Sequence, residues 1–232
     1  MFRSRSHQAQ ALRYYLYVSD TKLDMLFEQI DPGVLKRISA EVKVDLKLAS
    51  ITLRGADNPG PTRTAKLQVV ERFIDKHHHV GTIQQPGQEF FRGQMEMQWG
   101  WMGANERGVW FHGNDFDNSQ YVGLGGSRHH VLGEVRQLTS RPMTGRPYLV
   151  EALESSGFLH NPRLENGELT GDLPRYWHAY MDRAPAEPQP GGLPPQRLEF
   201  LAVPLAETQI DLNEMRPVHV VIGTPVYVAT AR

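Results

Sequence analysis

The chain is 232 residues long, with 40% hydrophobic and 22% charged residues, and this composition is that of a globular rather than a disordered protein. Its 25 basic and 26 acidic side chains give a formal net charge of −1, which argues against broad, charge-driven binding to nucleic acid or to an anionic membrane surface. The absence of cysteine excludes disulfides, thiolate metal sites and a cysteine nucleophile. No apolar stretch reaches the roughly 20 residues of a membrane-spanning helix. We therefore expect a cytoplasmic protein that does not enter membranes.

A strand, a tight loop and a helix are predicted at the start of the chain. After a flexible polar lead-in over residues 1–11, the aromatic and β-branched run Arg13–Ser19 predicts a buried strand. Ser19, Asp20 and Thr21 then supply N-cap candidates for a helix, which the sequence Asp31-Pro32-Gly33 is expected to end. Alternating apolar residues predict a half-buried strand at Glu41–Leu53.

The middle of the chain predicts a helix followed by a β-meander. Apolar residues recur at helical spacing over Thr62–His77. Short apolar or alternating segments then predict three strands joined by turns, at Phe90–Met102, Gly108–His112 and Tyr121–Leu124. A short helix is predicted near His129–Leu138.

The last third of the chain mixes element types. A helix is predicted at Tyr148–Ser156, and a Pro-rich loop at 184–195. Leu198–Val203 and Val218–Val228 are the last apolar segments, and Pro225 favours an edge strand or a strand break in the second of them. The order βαβα, then strands, then mixed elements predicts one mixed α/β domain over residues 12–232, with a central mixed sheet and flanking helices.

A glycine-rich segment between a strand and a predicted helix is the first candidate site. Gly125 and Gly126 would let backbone N–H groups approach an anion, while Ser127 and Arg128 would add a hydroxyl and a charged fork. The segment lacks the Lys-Ser/Thr pair of a phosphate-binding loop and the further glycines of a dinucleotide fingerprint or a nucleophile elbow. The alternative is a strand–helix turn that binds nothing.

A second candidate site follows the first predicted strand. Ser19 could donate a hydrogen bond to a phosphate or sugar, Asp20 could accept one from a ribose hydroxyl or a base, and Lys22 could neutralise charge. The alternative is simple capping of the helix. The two candidate sites support each other only if both loops open at the same place.

Other clusters of functional residue types predict less. His77–His79, His112 and His129-His130 lack the spacing of a metal site, so we predict no metal and no cofactor. Asn114, Asp115 and Asp117 fit a turn better than a calcium loop. The aromatic residues Trp99, Trp101, Trp110 and Phe111 could stack on a ligand, although core packing is their default role.

Three stretches carry a family resemblance: Tyr14–Leu26, Val122–Gly133 and Gly223–Ala229. Together they resemble a family of bacterial proteins, found mainly in actinobacteria, that is known as a domain of unknown function. That family supplies no catalytic residues to carry over. The strand–Ser-Asp–helix opening is also similar to the start of nucleotide-sensing Rossmann-like domains in bacterial conflict systems.

We therefore expect a small-molecule-binding or sensor protein that recognises a nucleotide-like or phosphorylated ligand through the glycine-rich loop. The first alternative is a hydrolase of phosphoester or acyl bonds, with Ser127 as nucleophile and His129 or His130 as general base. That alternative requires an imidazole within about 3 Å of the Ser127 hydroxyl. The second alternative is a non-catalytic subunit that binds a protein partner through the loop at 184–195.

Overall fold

A computed structural model describes residues 13–42, 61–102, 108–115, 119–133, 160–165, 168–172, 195–210 and 217–231. The helices are α1 (Asp20–Glu28), α2 (Pro32–Glu41), α3 (Arg63–His77) and a short 3-10 helix (Arg128–His130). The strands are β1 (Tyr15–Val18), β2 (Val80–Gly81), β3 (Phe90–Met102), β4 (Gly108–Asn114), β5 (Gln120–Ser127), β6 (His160–Glu165), β7 (Glu168–Asp172), β8 (Gln196–Ile210) and β9 (Val218–Thr230).

Five of the strands close into a barrel. β3 pairs with β4, β4 with β5, β5 with β9, β9 with β8, and β8 returns to β3, so the ring of strands has no free edge. All of these pairs are antiparallel except β5–β9, which is parallel. β1 and β2 extend the sheet beyond the ring, and β6 and β7 form a separate two-stranded sheet.

The predicted fold class, a mixed α/β domain with a central sheet flanked by helices, is wrong. The described residues are dominated by the closed barrel, with three α-helices beside it. β1 runs antiparallel to β9, so the strand-to-helix opening does not lie in a parallel sheet as the likeness to Rossmann-like domains implied. The error arose because local periodicity identifies strands but does not show that the first and last of them meet.

Two apolar clusters hold the architecture together. One cluster contains alternate residues of the barrel strands, such as Phe91, Phe111 and Phe200, all of them fully buried. The other joins the helices to β1, β8 and β9, and its members include Leu23, Ile38 and Leu67 on the helices and Leu201 and Tyr227 on the strands. The helices therefore pack on one outer side of the barrel.

One edge of β9 is shared by two strands and has a gap between them. β5 pairs with β9 as far as Gly223, and β1 begins its pairing at Tyr227. Between them, Thr224 and Pro225 pair with Val203 and Ala202 of β8 on the opposite edge, and no described strand pairs with them on this one; we call these two residues the β9 gap. Val226 follows at an irregularity in the β8 pairing, and its carbonyl accepts the Ser19 N–H at 2.8 Å. Pro225 has no N–H to donate, which suits a position beside a missing ladder neighbour. The edge strand or strand break predicted at Pro225 is therefore wrong, because β9 is continuous and has neighbours on both edges.

Most of the predicted elements that fall on described residues are confirmed. β1, α3 and β3 match their predicted positions within a few residues, and β3 matches Phe90–Met102 at both ends. Asp31-Pro32-Gly33 starts α2, because the Asp31 carboxylate caps the N–H groups of Gly33 and Val34. Several predictions fall on residues that are not described: the lead-in over 1–11, the helix at Tyr148–Ser156 and nearly all of the Pro-rich loop at 184–195. Of the strand predicted at Glu41–Leu53, only Glu41 and Val42 are described, and Glu41 ends α2.

None of the helices that the structure describes combines the length and the apolar character needed to cross a membrane.

Candidate functional site

The two loops predicted as ligand sites meet in the folded protein. Asp20, the first residue of α1, donates its backbone N–H to Nδ1 of His130 across 3.3 Å. The Thr21 hydroxyl lies 3.5 Å from the other ring nitrogen of His130, and the Asp20 carboxylate lies 3.7 Å from Nδ1. The first turn of α1 and the 3-10 helix after β5 therefore form one polar junction.

Tyr17 ties the two loops together from beneath. Its ring is fully buried and packs edge-to-face on His130, with 5.9 Å between ring centroids. Its phenol group hydrogen-bonds to the Ser19 side chain and to the backbone of Ser127. Burial raises the pKa of Tyr17 far above its usual range, so the phenol stays neutral and keeps both hydrogen bonds.

Gly125 and Gly126 do not form a loop. Both belong to β5, where they pair with Trp110 and Val109 of β4. A Cβ atom on Gly126 would lie 2.5 Å from the Tyr17 hydroxyl oxygen. The backbone at both glycines lies in the sheet ladder, so they do not form the predicted loop, and the small residue at Gly126 admits the Tyr17 ring.

Ser127 and Arg128 are both buried and already have partners. The Ser127 hydroxyl accepts the His129 N–H at 3.4 Å and so caps the 3-10 helix. The Arg128 guanidinium, whose residue is 4% exposed, stacks over Trp101 with 4.0 Å from its carbon to the ring centroid. Because both side chains are buried, neither is exposed where an incoming ligand could contact it first.

Ser19 and Asp20 shape the start of α1. Buried Ser19 is the N-cap, and its hydroxyl accepts the Lys22 N–H at 3.4 Å. The Asp20 carboxylate binds the Arg63 guanidinium of α3 through both oxygens, each at 2.6 Å. For Ser19 the structure shows the capping role that sequence analysis gave as the alternative.

Lys22 has the least compensated charge at this junction. Its Nζ donates to the Thr224 hydroxyl of the β9 gap at 2.8 Å, and within the described part of the chain no carboxylate pairs with it. Burial lowers the pKa of Lys22 to about 8. Lys22 is also the third residue of α1, and the positive end of a helix disfavours a cation there.

The three stretches that carried the family resemblance converge at this junction. Lys22 comes from the first, His130 from the second and Thr224 from the third. Sequence analysis did not single out Thr224, Arg63 or Tyr17 as site residues. The stretches contained a signal for two of them, because the first includes Tyr17 and the third includes Thr224 beside Pro225.

The geometry required by the hydrolase alternative is not seen at Ser127. Its hydroxyl oxygen contacts a backbone N–H, and no histidine ring nitrogen of the described chain hydrogen-bonds to it. The His130 ring faces Asp20 and Thr21 instead.

The histidines are distributed over separate parts of the fold. His77 and His78 pack on Phe73 at the end of α3, whereas His112 lies beside Tyr121 on the barrel. Across the described ranges, no three histidine, aspartate or glutamate side chains group so as to hold a metal ion. Trp99 stacks on Phe111, and Trp110 is buried, as the core alternative expected.

We expect His130 to make the protein less stable as the pH falls into the mildly acidic range. Burial lowers the pKa of His130 in the folded state despite the nearby Asp20 carboxylate, so the unfolded chain binds the proton more readily. The stabilising effect of the neutral ring is complete above the unfolded pKa of about 6.5 and is lost as the pH falls below it. His130→Gln should therefore flatten the loss of stability between pH 6.5 and 5 in urea titrations. Exposed His79→Gln is the control, and an equal flattening there would contradict the assignment.

The described residues form a closed five-stranded barrel with a layer of helices on one side and a polar junction at the β9 gap. The chain belongs to a family of unknown function, DUF7019, which matches residues 13–232. No curated protein and no solved structure shows significant similarity to it.

Proposed function

We propose that the protein is a cytoplasmic small-molecule-binding or sensor protein that takes a phosphorylated, nucleotide-like ligand at the junction of α1 and the β9 gap. The observation that carries this proposal is Lys22, a half-buried cation whose one described side-chain partner is the neutral Thr224 hydroxyl. A buried cation without a counter-charge is costly, and an anion beside it would remove that cost.

The position of Lys22 in α1 supports an anion rather than any polar ligand. The N–H groups of a first helical turn and the helix dipole attract negative charge to the same point. The Asp20 carboxylate, two residues before Lys22 in α1, is bound by Arg63, lies near His130 and forms no described ion pair with Lys22. A phosphate close to Nζ would restore the ordinary pKa of the amine, which links ligand binding to proton uptake near pH 8.

The polar groups around Lys22 would give the ligand its orientation. Thr21 is exposed, and its hydroxyl lies near the His130 ring. Arg63, on the neighbouring helix, is also exposed beside Asp20. A hydroxyl, an imidazole and a guanidinium around one lysine suit an anion that carries further hydrogen-bonding groups, as a nucleotide does.

The test is ligand-induced stabilisation with a matched pair of lysine variants. Inorganic phosphate and a panel of nucleotides, cyclic nucleotides among them, are added to the wild type, to Lys22→Met and to Lys36→Met, and the unfolding temperature is recorded. Lys36 is an exposed residue of α2 outside the junction, so its variant controls for the loss of one charge. Native mass spectrometry of protein purified from its own host identifies any retained ligand.

We expect at least one anion to stabilise the wild type and Lys36→Met, and to bind Lys22→Met at least tenfold more weakly, a loss of about 1.4 kcal/mol. Without ligand, Lys22→Met should unfold at the same temperature as the wild type or higher, because it removes a buried charge. If no anion stabilises the wild type, or if Lys22→Met responds like Lys36→Met, the proposal is wrong.

A further inference from the structure

Lys22 differs from the other lysines that the structure describes. Lys66 pairs with Asp24 at 2.6 Å, and Lys76 pairs with Glu41. Lys36 is exposed to solvent. Lys22 is half-buried, and it alone among these four has a neutral hydroxyl as its described side-chain partner. Its surroundings therefore favour the uncharged amine, which is the nucleophilic form of lysine.

None of the described groups around Lys22 forms an ion pair with its amine. Thr224 of β9 contributes a hydroxyl rather than a carboxylate, and His130 of the 3-10 helix adds a positive influence when it is protonated. Asp20 of α1 is held by Arg63. With the pKa of Lys22 lowered to about 8 by burial, about a tenth of the amine is neutral at pH 7.

We propose that Lys22 Nζ forms an imine with the carbonyl carbon of an aldehyde or ketone ligand. The ligand class is a carbonyl compound that also carries a phosphate or other anionic group, and that second feature rests on the proposed function. The lone pair of the neutral amine attacks the carbonyl carbon, and a proton passes from nitrogen to the carbonyl oxygen. The resulting hydroxyl then leaves with the second amine proton as water, so that one amine and one carbonyl give one imine and one water.

Thr224 is the positioning residue for this step. Its hydroxyl holds Nζ at 2.8 Å beside the β9 gap, where the chain has no ladder neighbour on one edge. A hydroxyl can accept a hydrogen bond from the amine without stabilising the ammonium form as strongly as a carboxylate would. Lys22 is thus fixed in place while its lone pair stays available in the neutral form.

The experiment uses pyridoxal 5′-phosphate as a probe, because it combines an aldehyde with a phosphate. The full-length protein is incubated with the probe and sodium borohydride, and the labelled lysines are located by peptide mapping. We expect Lys22 to be labelled at least fivefold faster than Lys36 at pH 7. Lys22→Arg should remove that label, and Thr224→Val should slow it while leaving Lys36 unaffected.

The pH profile separates an activated amine from a merely accessible one. Labelling of Lys22 should level off above pH 8, and labelling of Lys36 should not follow the same profile. Equal labelling of Lys22 and Lys36, or parallel pH profiles, would overturn the inference.

Pyridoxal without phosphate distinguishes the two proposals. If both aldehydes label Lys22 selectively at equal rates and inorganic phosphate does not compete, the amine is nucleophilic but the anion site fails. If phosphate stabilises the protein and neither aldehyde labels Lys22 selectively, the anion site stands and the imine inference fails.

Discussion

Replacement of Glu71 by alanine is expected to lower the free energy of unfolding by about 2 kcal/mol, because it removes a largely buried acceptor that several side chains share. Glu71 of α3 accepts two hydrogen bonds from Arg13, at 2.8 and 2.9 Å, and one from the Tyr227 hydroxyl at 3.1 Å. Arg92 of β3 approaches the same carboxylate at 3.4 Å. The variant would leave Arg13, Arg92 and the Tyr227 phenol without this acceptor. It would also remove the polar links from α3 to β3, to β9 and to the chain just before β1.

The matched control for Glu71 is Glu41→Ala. Glu41 also binds two basic side chains, Arg72 and Lys76, and it also lies on a helix. It is a surface residue, however, and surface ion pairs contribute little because solvent screens them. Urea titration of both variants measures the difference. A loss at Glu71 no larger than the loss at Glu41 would show that this network does not hold the helices to the barrel.

Replacement of Gly126 by alanine is expected to cost about 2 kcal/mol, within the range for overpacking a core. The new Cβ would lie 2.5 Å from the Tyr17 hydroxyl oxygen and 2.7 Å from the ring carbon that carries it. Tyr17 has little freedom to move, because it is 1% exposed and hydrogen-bonded to Ser19 and Ser127. The ring must shift, and the polar junction above it must shift too.

Gly100 on β3 provides the comparison, since a Cβ there would meet no atom within 4 Å. Gly100→Ala should leave the urea midpoint unchanged or raise it, because alanine costs less conformational entropy than glycine. If Gly126→Ala were as stable as Gly100→Ala but no longer bound an anion, the glycine would be a ligand contact after all. We expect the reverse, namely that stability falls first.

Local patterns in the sequence predicted elements well and their assembly poorly. β3 was predicted at both ends because thirteen residues alternate around Met95 and Met97, and α3 because its apolar residues recur at helical spacing. The barrel was missed because β1 pairs with β9, and β3 with β8, across long stretches of chain. Periodicity carries no information on which strand a given strand will meet.

The misread residues share a physical cause, which is that glycine and proline have more than one structural use. Gly125 and Gly126 were interpreted as a loop, whereas in β5 glycine makes room for the Tyr17 ring. Asp31-Pro32 was interpreted as the end of a helix, although aspartate and proline also begin one. For Gly126 the deciding partner is distant in sequence, whereas Asp31 caps N–H groups only two and three residues away.

The candidate site was predicted in part. Sequence analysis named Lys22 and recognised that the loops at Ser19 and Ser127 would matter together only if they were adjacent, and the structure places them in contact through His130. It could not assign the burial of Lys22 or its pairing with Thr224, because both depend on where α1 packs against β9. Both proposals rest on the burial of Lys22 and on its hydrogen bond to Thr224.

The pairing of β9 with β1, β5 and β8 also bears on how the protein is made. Of the strands described, β9 leaves the ribosome last, and until then the ring lacks the member that joins β5 to β8. Until β9 is synthesised, β1, β5 and β8 each keep an unpaired edge. Unpaired strand edges invite chaperone binding and aggregation. A premature stop before Val218 should thus remove the folded state altogether rather than trim it.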